Sequence, residues 1–347
     1  MSPADRRGVA VLAWLVVLLA SANLLSGAMG WKYLQVVTWP TDLYILGQLR
    51  DPRPVDVGVV GSSRSHYALS PSAIDQCLGR TLGRPTRTVA ANRLAASAYQ
   101  VDLTARDMFA GRSAPRVLVL EVAPDALARD HFELNYNVSS SADVRDVPEC
   151  LVAAVRGRPR AAACLRPLVR GVENLAFLLV RAVQPTNAHV RWMAVHEDGG
   201  NYCFGDPACE QRNITFDRDY ASRWAARERR VLPKIRSERF KDYQIEGGLP
   251  ARHIVAAMNR GREDGAAVFV VNLPVAEAYA REIPPEHDAA FRTWIARAAA
   301  ASGARLLDLD TPDRRARPLF IDPDHVNAVG AKRLSETLCA EVAGALH

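Results

Sequence analysis

The chain has 347 residues, of which 49% are hydrophobic and 24% charged, with six cysteines. At roughly 100–200 residues per domain this allows one large or two ordinary domains; it excludes a mainly disordered chain and a small scaffold whose bridges replace a core. The net charge of +6 is small for this length and is not gathered in one run; without zinc-finger spacing, an RNP signature or a basic heptad helix, nucleic-acid binding is not expected.

Arg6 and Arg7 precede a charge-free stretch from Gly8 to Trp31. About 20 apolar residues cross a bilayer as a helix, so residues 1–31 are expected to form a single-pass anchor. Basic residues on its N-terminal side place that end in the cytoplasm and the main domain outside. The competing reading is a signal peptide cleaved after Ala22, at the A-x-A-like Ala20-Ser21-Ala22. Both readings export the rest of the chain to a periplasmic or extracellular location. Residues 32–54, with Pro40, Pro52 and Pro54, read as a juxtamembrane linker.

From residue 55 the chain alternates strand and helix signals. Val55–Val60 is a β-branched run that breaks at Gly61-Ser62-Ser63-Arg64-Ser65. A helix is predicted over 70–83, a strand over 86–91, a loop over 92–97 and a helix over 98–109. Further strands are predicted over 116–122, 266–272 and 304–309, a helix over 284–302 and a last amphipathic helix over 329–346. Strands alternating with helices imply an α/β protein with a parallel sheet covered on both faces. The stretch 125–255 breaks this rhythm, with helical signals near 168–183 and 218–240, and reads as an insertion.

The insertion holds four of the cysteines. Cys150 and Cys164, and Cys203 and Cys209, are close enough in sequence for two local disulfides, which leaves Cys77 and Cys339 as a third pair. An even count in an exported chain supports bridges without fixing their pairing, and buried free thiols are the competing reading. No histidine lies at ligand spacing from these cysteines, so neither a metal nor another cofactor is expected.

Two segments carry the chemistry. Ser63 stands at the carboxyl end of the first strand, where open parallel sheets bind ligands. A serine hydroxyl is a weak nucleophile and needs an adjacent base. Asp322-Pro323-Asp324-His325-Val326-Asn327-Ala328-Val329-Gly330 supplies one: His325 as base, with Asp322 three residues earlier to fix its tautomer and stabilise its protonated form. Asp324 is the alternative orienting acid, although adjacent side chains diverge, and Ser62 or Ser65 the alternative nucleophile. Asn327 is expected to cap the last helix. Arg64 is expected either to pair with Glu121 or Asp322 or to hold an anionic substrate.

Gly61-Ser62-Ser63 resembles the G-D-S block of the SGNH (GDSL-like) hydrolase superfamily, with Ser62 where aspartate is usual, and Asp322-x-x-His325 resembles its final block. The extended D-x-x-H-x-N-x-x-G with G-S-S-R is similar to the subgroup of membrane-anchored alginate O-acetylation proteins and DltD-like proteins. The resemblance covers about 55–122 and 266–347. It implies a flavodoxin-like three-layer sheet and a Ser63/Asp322/His325 triad. It also implies acyl-ester chemistry on a cell-envelope polysaccharide, beside a multi-pass membrane acyltransferase. The family's G-x-N-D asparagine is absent, since Glu121-Val122-Ala123-Pro124 stands there. The oxyanion donors are therefore expected from the Ser63 amide, a backbone amide near Ala95 or Ala96 and the Asn92 side chain. A secreted esterase or deacetylase acting alone, and a catalytically inactive scaffold, are the competing functions.

Overall fold

The computed structural model describes residues 3–28, 48–49, 51–93, 96–110, 114–127, 151, 220–240, 243 and 245–347. The chain divides into two compact units, one of residues 1–46 with 131–194 and one of residues 47–130 with 195–347.

In the first unit helix α1 spans Pro3–Ala28. Its described side chains are exposed all round, Val9, Val11, Leu12, Trp14, Leu15, Val16, Val17 and Leu18 among them. The expected single-pass span is not supported: among the described residues no helix is long and apolar enough to cross a membrane.

The second unit is α/β, built on a five-stranded parallel sheet. The strands are β1 (Val57–Val60), β2 (Thr88–Ala90), β3 (Val117–Glu121), β4 (Ala267–Asn272) and β5 (Arg305–Asp308), in the order β2-β1-β3-β4-β5. All five lie within the predicted strands. The order reverses between β1 and β3, which creates a crevice at the carboxyl end of β1.

Helices cover both faces. α2 (Ser63–Ala68) and α3 (Pro71–Leu82) follow β1, α4 (Ala98–Ala110) follows β2, and α5 (Tyr220–Lys234) and α6 (Leu249–Glu263) precede β4. The short α7 (Glu277–Ala280) and α8 (Pro285–Ala301) follow β4. A hairpin of β6 (Phe320–Asp322) and β7 (His325–Val326) leads into α9 (Ala328–Ala343). Alternate strand residues serve opposite layers. Val57, Val59, Val117, Val119, Phe269 and Val271 pack in one core with Leu78 of α3 and Leu334, Leu338 and Val342 of α9.

The other layer approaches more closely. A Cβ on Gly58 would meet Met108 Sδ at 2.4 Å, and one on Gly261 would meet Val268 Cγ2 at 2.7 Å and Leu118 Cδ2 at 2.8 Å. These glycines let α4 and α6 settle on the sheet. α6 therefore belongs to the layer over the sheet.

Cys77 of α3 and Cys339 of α9 form a disulfide, as the sequence suggested for the third pair. Beside it the Ser70 N–H donates to Ser335 Oγ at 2.9 Å. Cys150, Cys164, Cys203, Cys209 and the helical stretch near 168–183 lie outside the described residues.

Candidate active site

The site begins with the turn after β1. Ser62 caps α2, its Oγ accepting the Arg64 N–H at 3.1 Å, and Ser63 is the first helical residue. This short helix replaces the expected loop. The Ser62 N–H donates to Glu121 Oε2 at 2.5 Å. A Cβ on Gly61 would meet Ser65 Oγ at 2.4 Å and Glu121 Cβ at 2.6 Å, so the turn needs glycine there. The chain after β2 is tied alongside: the Ala91 N–H donates to Val59 O at 2.7 Å and the Arg93 N–H to Gly61 O at 3.0 Å.

The second part is the β6–β7 hairpin. Asp322 is 1% exposed. Its Oδ1 accepts the backbone N–H of Asp324 at 3.1 Å and of His325 at 3.0 Å, so the turn holds the carboxylate in place. The loop after β4 braces the hairpin, the Ala276 N–H donating to Pro323 O at 2.9 Å. Asn327 caps α9 by accepting from Val329 N and Gly330 N, each at 3.0 Å. A Cβ on Gly330 would meet Leu319 O at 2.5 Å and Val326 Cβ at 2.9 Å, which accounts for glycine at the end of the motif.

The two parts meet. His325 Nε2 lies 2.9 Å from Ser63 Oγ, and His325 Nδ1 lies 2.9 Å from Asp322 Oδ1 and 3.0 Å from Oδ2. These are the contacts a hydroxyl nucleophile, its base and an orienting carboxylate require. The alternative nucleophiles are engaged otherwise. Ser65 is fully buried, and its Oγ faces Asn92 Oδ1 at 2.9 Å, Ser62 O at 3.0 Å and Glu121 Oε2 at 3.3 Å.

The remaining predicted residues divide. Asn92 is 2% exposed, beside Ser65. Its Nδ2 is buried without a hydrogen-bond partner among the described residues. Ala95 lies outside the described residues, and the Ala96 N–H closes a turn onto Arg93 O at 3.1 Å. Arg64 pairs with neither Glu121 nor Asp322. Its Nη1 bonds Asp125 Oδ1 at 2.9 Å and its Nη2 bonds Tyr279 Oη at 2.7 Å, and the residue is buried. The oxygen-rich pair at hand, Asp125 and Tyr279, outcompetes the predicted partners, because Glu121 is occupied by Ser62 and Ser65 and Asp322 by its own turn. Asn272, at the end of β4, is buried and donates to Asp308 Oδ1 at 2.9 Å, as a plain strand exit.

Sequence reasoning missed Arg239, Tyr279, Tyr67 and His66, and named Asp324 only as the alternative orienting acid. Asp324 does not diverge from His325: its Oδ1 lies 3.5 Å from Nδ1. Its Oδ2 lies 3.1 Å from Arg239 Nη1, and the same nitrogen meets Tyr279 Oη at 2.8 Å and Asp125 Oδ2 at 3.2 Å. Tyr67 packs its ring 4.8 Å from that of His325. His66 is buried beside the site; burial, and then the charge of His325, push its pKa down to about 4. Burial opposes the charge of Asp324, but His325, Arg239 and Arg64 outweigh it and hold its pKa below the usual carboxylate value. Burial, and then Asp125, push Tyr279 up to about 12, so its hydroxyl stays protonated.

Asp322, Asp324 and His325 bring ligand atoms within 4.8 Å of one another. Arg239 already neutralises Asp324, and His325 is held between Asp322 and Ser63, so the cluster reads as an acid–base group rather than a set of cation ligands. A cavity of about 220 Å³ is lined by Pro274, Asp313, Leu319, Val326, Gly330 and Leu334 among others. Neither Ser63 nor His325 lines it, so it is not taken as the substrate cleft.

No protein-family model matches the chain, and no curated protein matches it.

Proposed function

We propose that this protein carries out serine-dependent acyl-ester chemistry, with Ser63 as nucleophile, His325 as base and Asp322 as the acid that orients it. The observation that carries this reading is the unbroken line from Ser63 Oγ through both imidazole nitrogens to Asp322, at 2.9 Å on each side. Ser63 Oγ attacks an acyl carbonyl and its proton passes to His325 Nε2. The tetrahedral oxyanion collapses, and the departing oxygen takes that proton. The acyl group on Ser63 is then attacked by a second hydroxyl, whose proton goes to His325. A sugar hydroxyl makes this step a transfer; water makes it a hydrolysis.

The oxyanion needs donors aimed at where its charge develops. The Ser63 N–H opens a helix, where no carbonyl four residues back in that helix accepts it. The buried, unpartnered Nδ2 of Asn92 is the second donor in this reading. Either donor is worth roughly 100–1,000-fold in rate.

The family we propose is the SGNH superfamily. The support is the strand order, which is flavodoxin-like, with Gly61-Ser62-Ser63 at the end of β1 and Asp322-x-x-His325 before the last helix. On that reading the substrate is an acyl ester of a cell-envelope polysaccharide, the place of action is outside the cytoplasm, and a multi-pass membrane acyltransferase is the partner. The exposed Val9, Val11, Leu12, Trp14, Leu15, Val16, Val17 and Leu18 of α1 support membrane contact in this reading, since exposed apolar surface on this scale marks an interaction site. The disulfide supports an oxidising compartment.

The test is covalent labelling of the full-length protein with a fluorophosphonate. Labelling is expected in the wild type and absent in Ser63→Ala and His325→Ala. Labelling that survives Ser63→Ala, or a folded wild type that never labels, would sink the assignment.

A further inference from the structure

Ser63 shares its side of α2 with two residues that the chemistry above does not use. Residues three and four apart stand side by side on a helix, so His66 and Tyr67 flank the nucleophile. The Tyr67 ring packs 4.8 Å from that of His325, and His66 meets Tyr67 edge to face at 5.3 Å. The two rings therefore border the contact between Ser63 Oγ and His325 Nε2.

Both residues carry polar atoms that the fold leaves unbonded. Neither ring nitrogen of His66 has a hydrogen-bond partner among the described residues, and neither does the Tyr67 hydroxyl. His66 is only 6% exposed, and buried polar groups are nearly always bonded. An unbonded imidazole beside a nucleophile finds its partner in a ligand. Burial, and then the charge of His325, keep His66 neutral at neutral pH, and a neutral imidazole offers one donor and one acceptor. A hydroxyl also donates and accepts, so it satisfies either nitrogen. Tyr67 is half-buried and joins an apolar ring to a polar tip, which suits a sugar ring with apolar C–H faces and a rim of hydroxyls. An anionic group is less well served, because Arg64, next to the nucleophile, is bonded to Asp125 and Tyr279.

We propose that His66 and Tyr67 are specificity-determining residues that hold an uncharged, hydroxyl-rich sugar ring beside Ser63, His66 by hydrogen bonding a ring hydroxyl and Tyr67 by packing against the ring. The inference rests on the nucleophile role given to Ser63 above and assigns the contacts that select the ligand at that same site.

The experiment compares two esters on the full-length protein, a mono-O-acetylated methyl pyranoside and ethyl acetate. His66→Phe keeps a ring and removes its hydrogen bonds; Tyr67→Ala removes the aromatic surface. In each, the ratio of kcat/KM for the sugar ester to that for ethyl acetate is expected to fall about tenfold, mainly through KM. A residue that only props His325 would slow both esters alike and leave the ratio where it was. His66→Asn, which again offers a donor and an acceptor, recovers most of the ratio. An unmoved ratio in His66→Phe or in Tyr67→Ala overturns the proposal, and so does an Asn variant no better than Phe. A second readout keeps both residues in place: with Ser63→Ala protein, the ring signals of His66 and Tyr67 in NMR spectra are expected to shift when the sugar ester is added. Unmoved signals overturn the proposal even where a His66 or Tyr67 variant fails to fold. Shifted signals without fluorophosphonate labelling of the wild type would overturn the acyl-transfer reading and leave the sugar contacts standing; labelling with unmoved signals would do the reverse.

Discussion

Two histidine–aspartate pairs in this protein have the same contact and different surroundings. His325 Nδ1 lies 2.9 Å from Asp322, and His253 Nδ1 lies 2.9 Å from Asp102. Asp102 belongs to α4 and His253 to α6, so their contact stitches two helices over the sheet. Tyr99 packs its ring 5.0 Å from that of His253, and Arg260 approaches the other Asp102 oxygen at 3.8 Å. The Asp322 side chain is 1% exposed against 17% for Asp102, its oxygen is fixed by two backbone N–H groups, and its histidine touches a serine hydroxyl at the crevice beyond β1. In the proposed reading, what sets the His325 pair apart is the serine hydroxyl on its far nitrogen and its place at the sheet's ligand-binding edge.

The sharpest way to break the comparison is to remove chemistry from one pair only. His325→Ala or Ser63→Ala is expected to lower the labelling or acyl-turnover rate by about 10⁴-fold or more. Asp322→Asn should fall nearly as far, by roughly 10³–10⁴-fold, with an unchanged melting temperature, because the wrong tautomer is held in an intact turn. Asp102→Asn should leave the rate within about two-fold and show instead as a stability loss of about 1 kcal/mol in chemical denaturation. Equal rate losses in Asp322→Asn and Asp102→Asn would erase the distinction.

The disulfide sharpens it from the stability side. It joins the two helices that follow Ser63 and His325, and no described bridge joins α4 to α6. Cys77→Ala with Cys339→Ala should cost about 2–5 kcal/mol, read as a lowered denaturation midpoint with an unchanged slope.

A smaller effect separates the pairs by pH. His66 sits beside His325 with its pKa at about 4 in the folded state, against about 6.5 unfolded. Between those values the unfolded chain binds a proton that the folded one refuses. Stability is therefore full above about pH 6.5 and declines as pH falls towards 4, by up to about 3 kcal/mol. His66→Gln should flatten that decline in denaturation curves taken across the window; an unchanged slope would mean His66 is not the group responsible.

Much of this was legible in the sequence, and the exceptions share a cause. The five strands announce themselves as short β-branched or aliphatic runs, and each lies inside its predicted range. Ser63, Asp322 and His325 stand out because strand ends and the last helix are recognisable landmarks. α2 is invisible to periodicity because it has only six residues. The Arg64–Asp125–Arg239–Tyr279 cluster is invisible for a different reason. Its members are 61, 114, 154 and 215 residues apart, so no local pattern links them. Proximity in sequence misled once, at Asp324, where a tight hairpin turns two alternate side chains towards one imidazole.

The bridge between Cys77 and Cys339 spans 262 residues, the same interval that separates Ser63 from His325. Each cysteine lies 14 residues after its counterpart in the site. In the folded chain both contacts join the same two segments, the one after β1 and the one that ends in α9. Closure of the bridge is a covalent record of correct assembly.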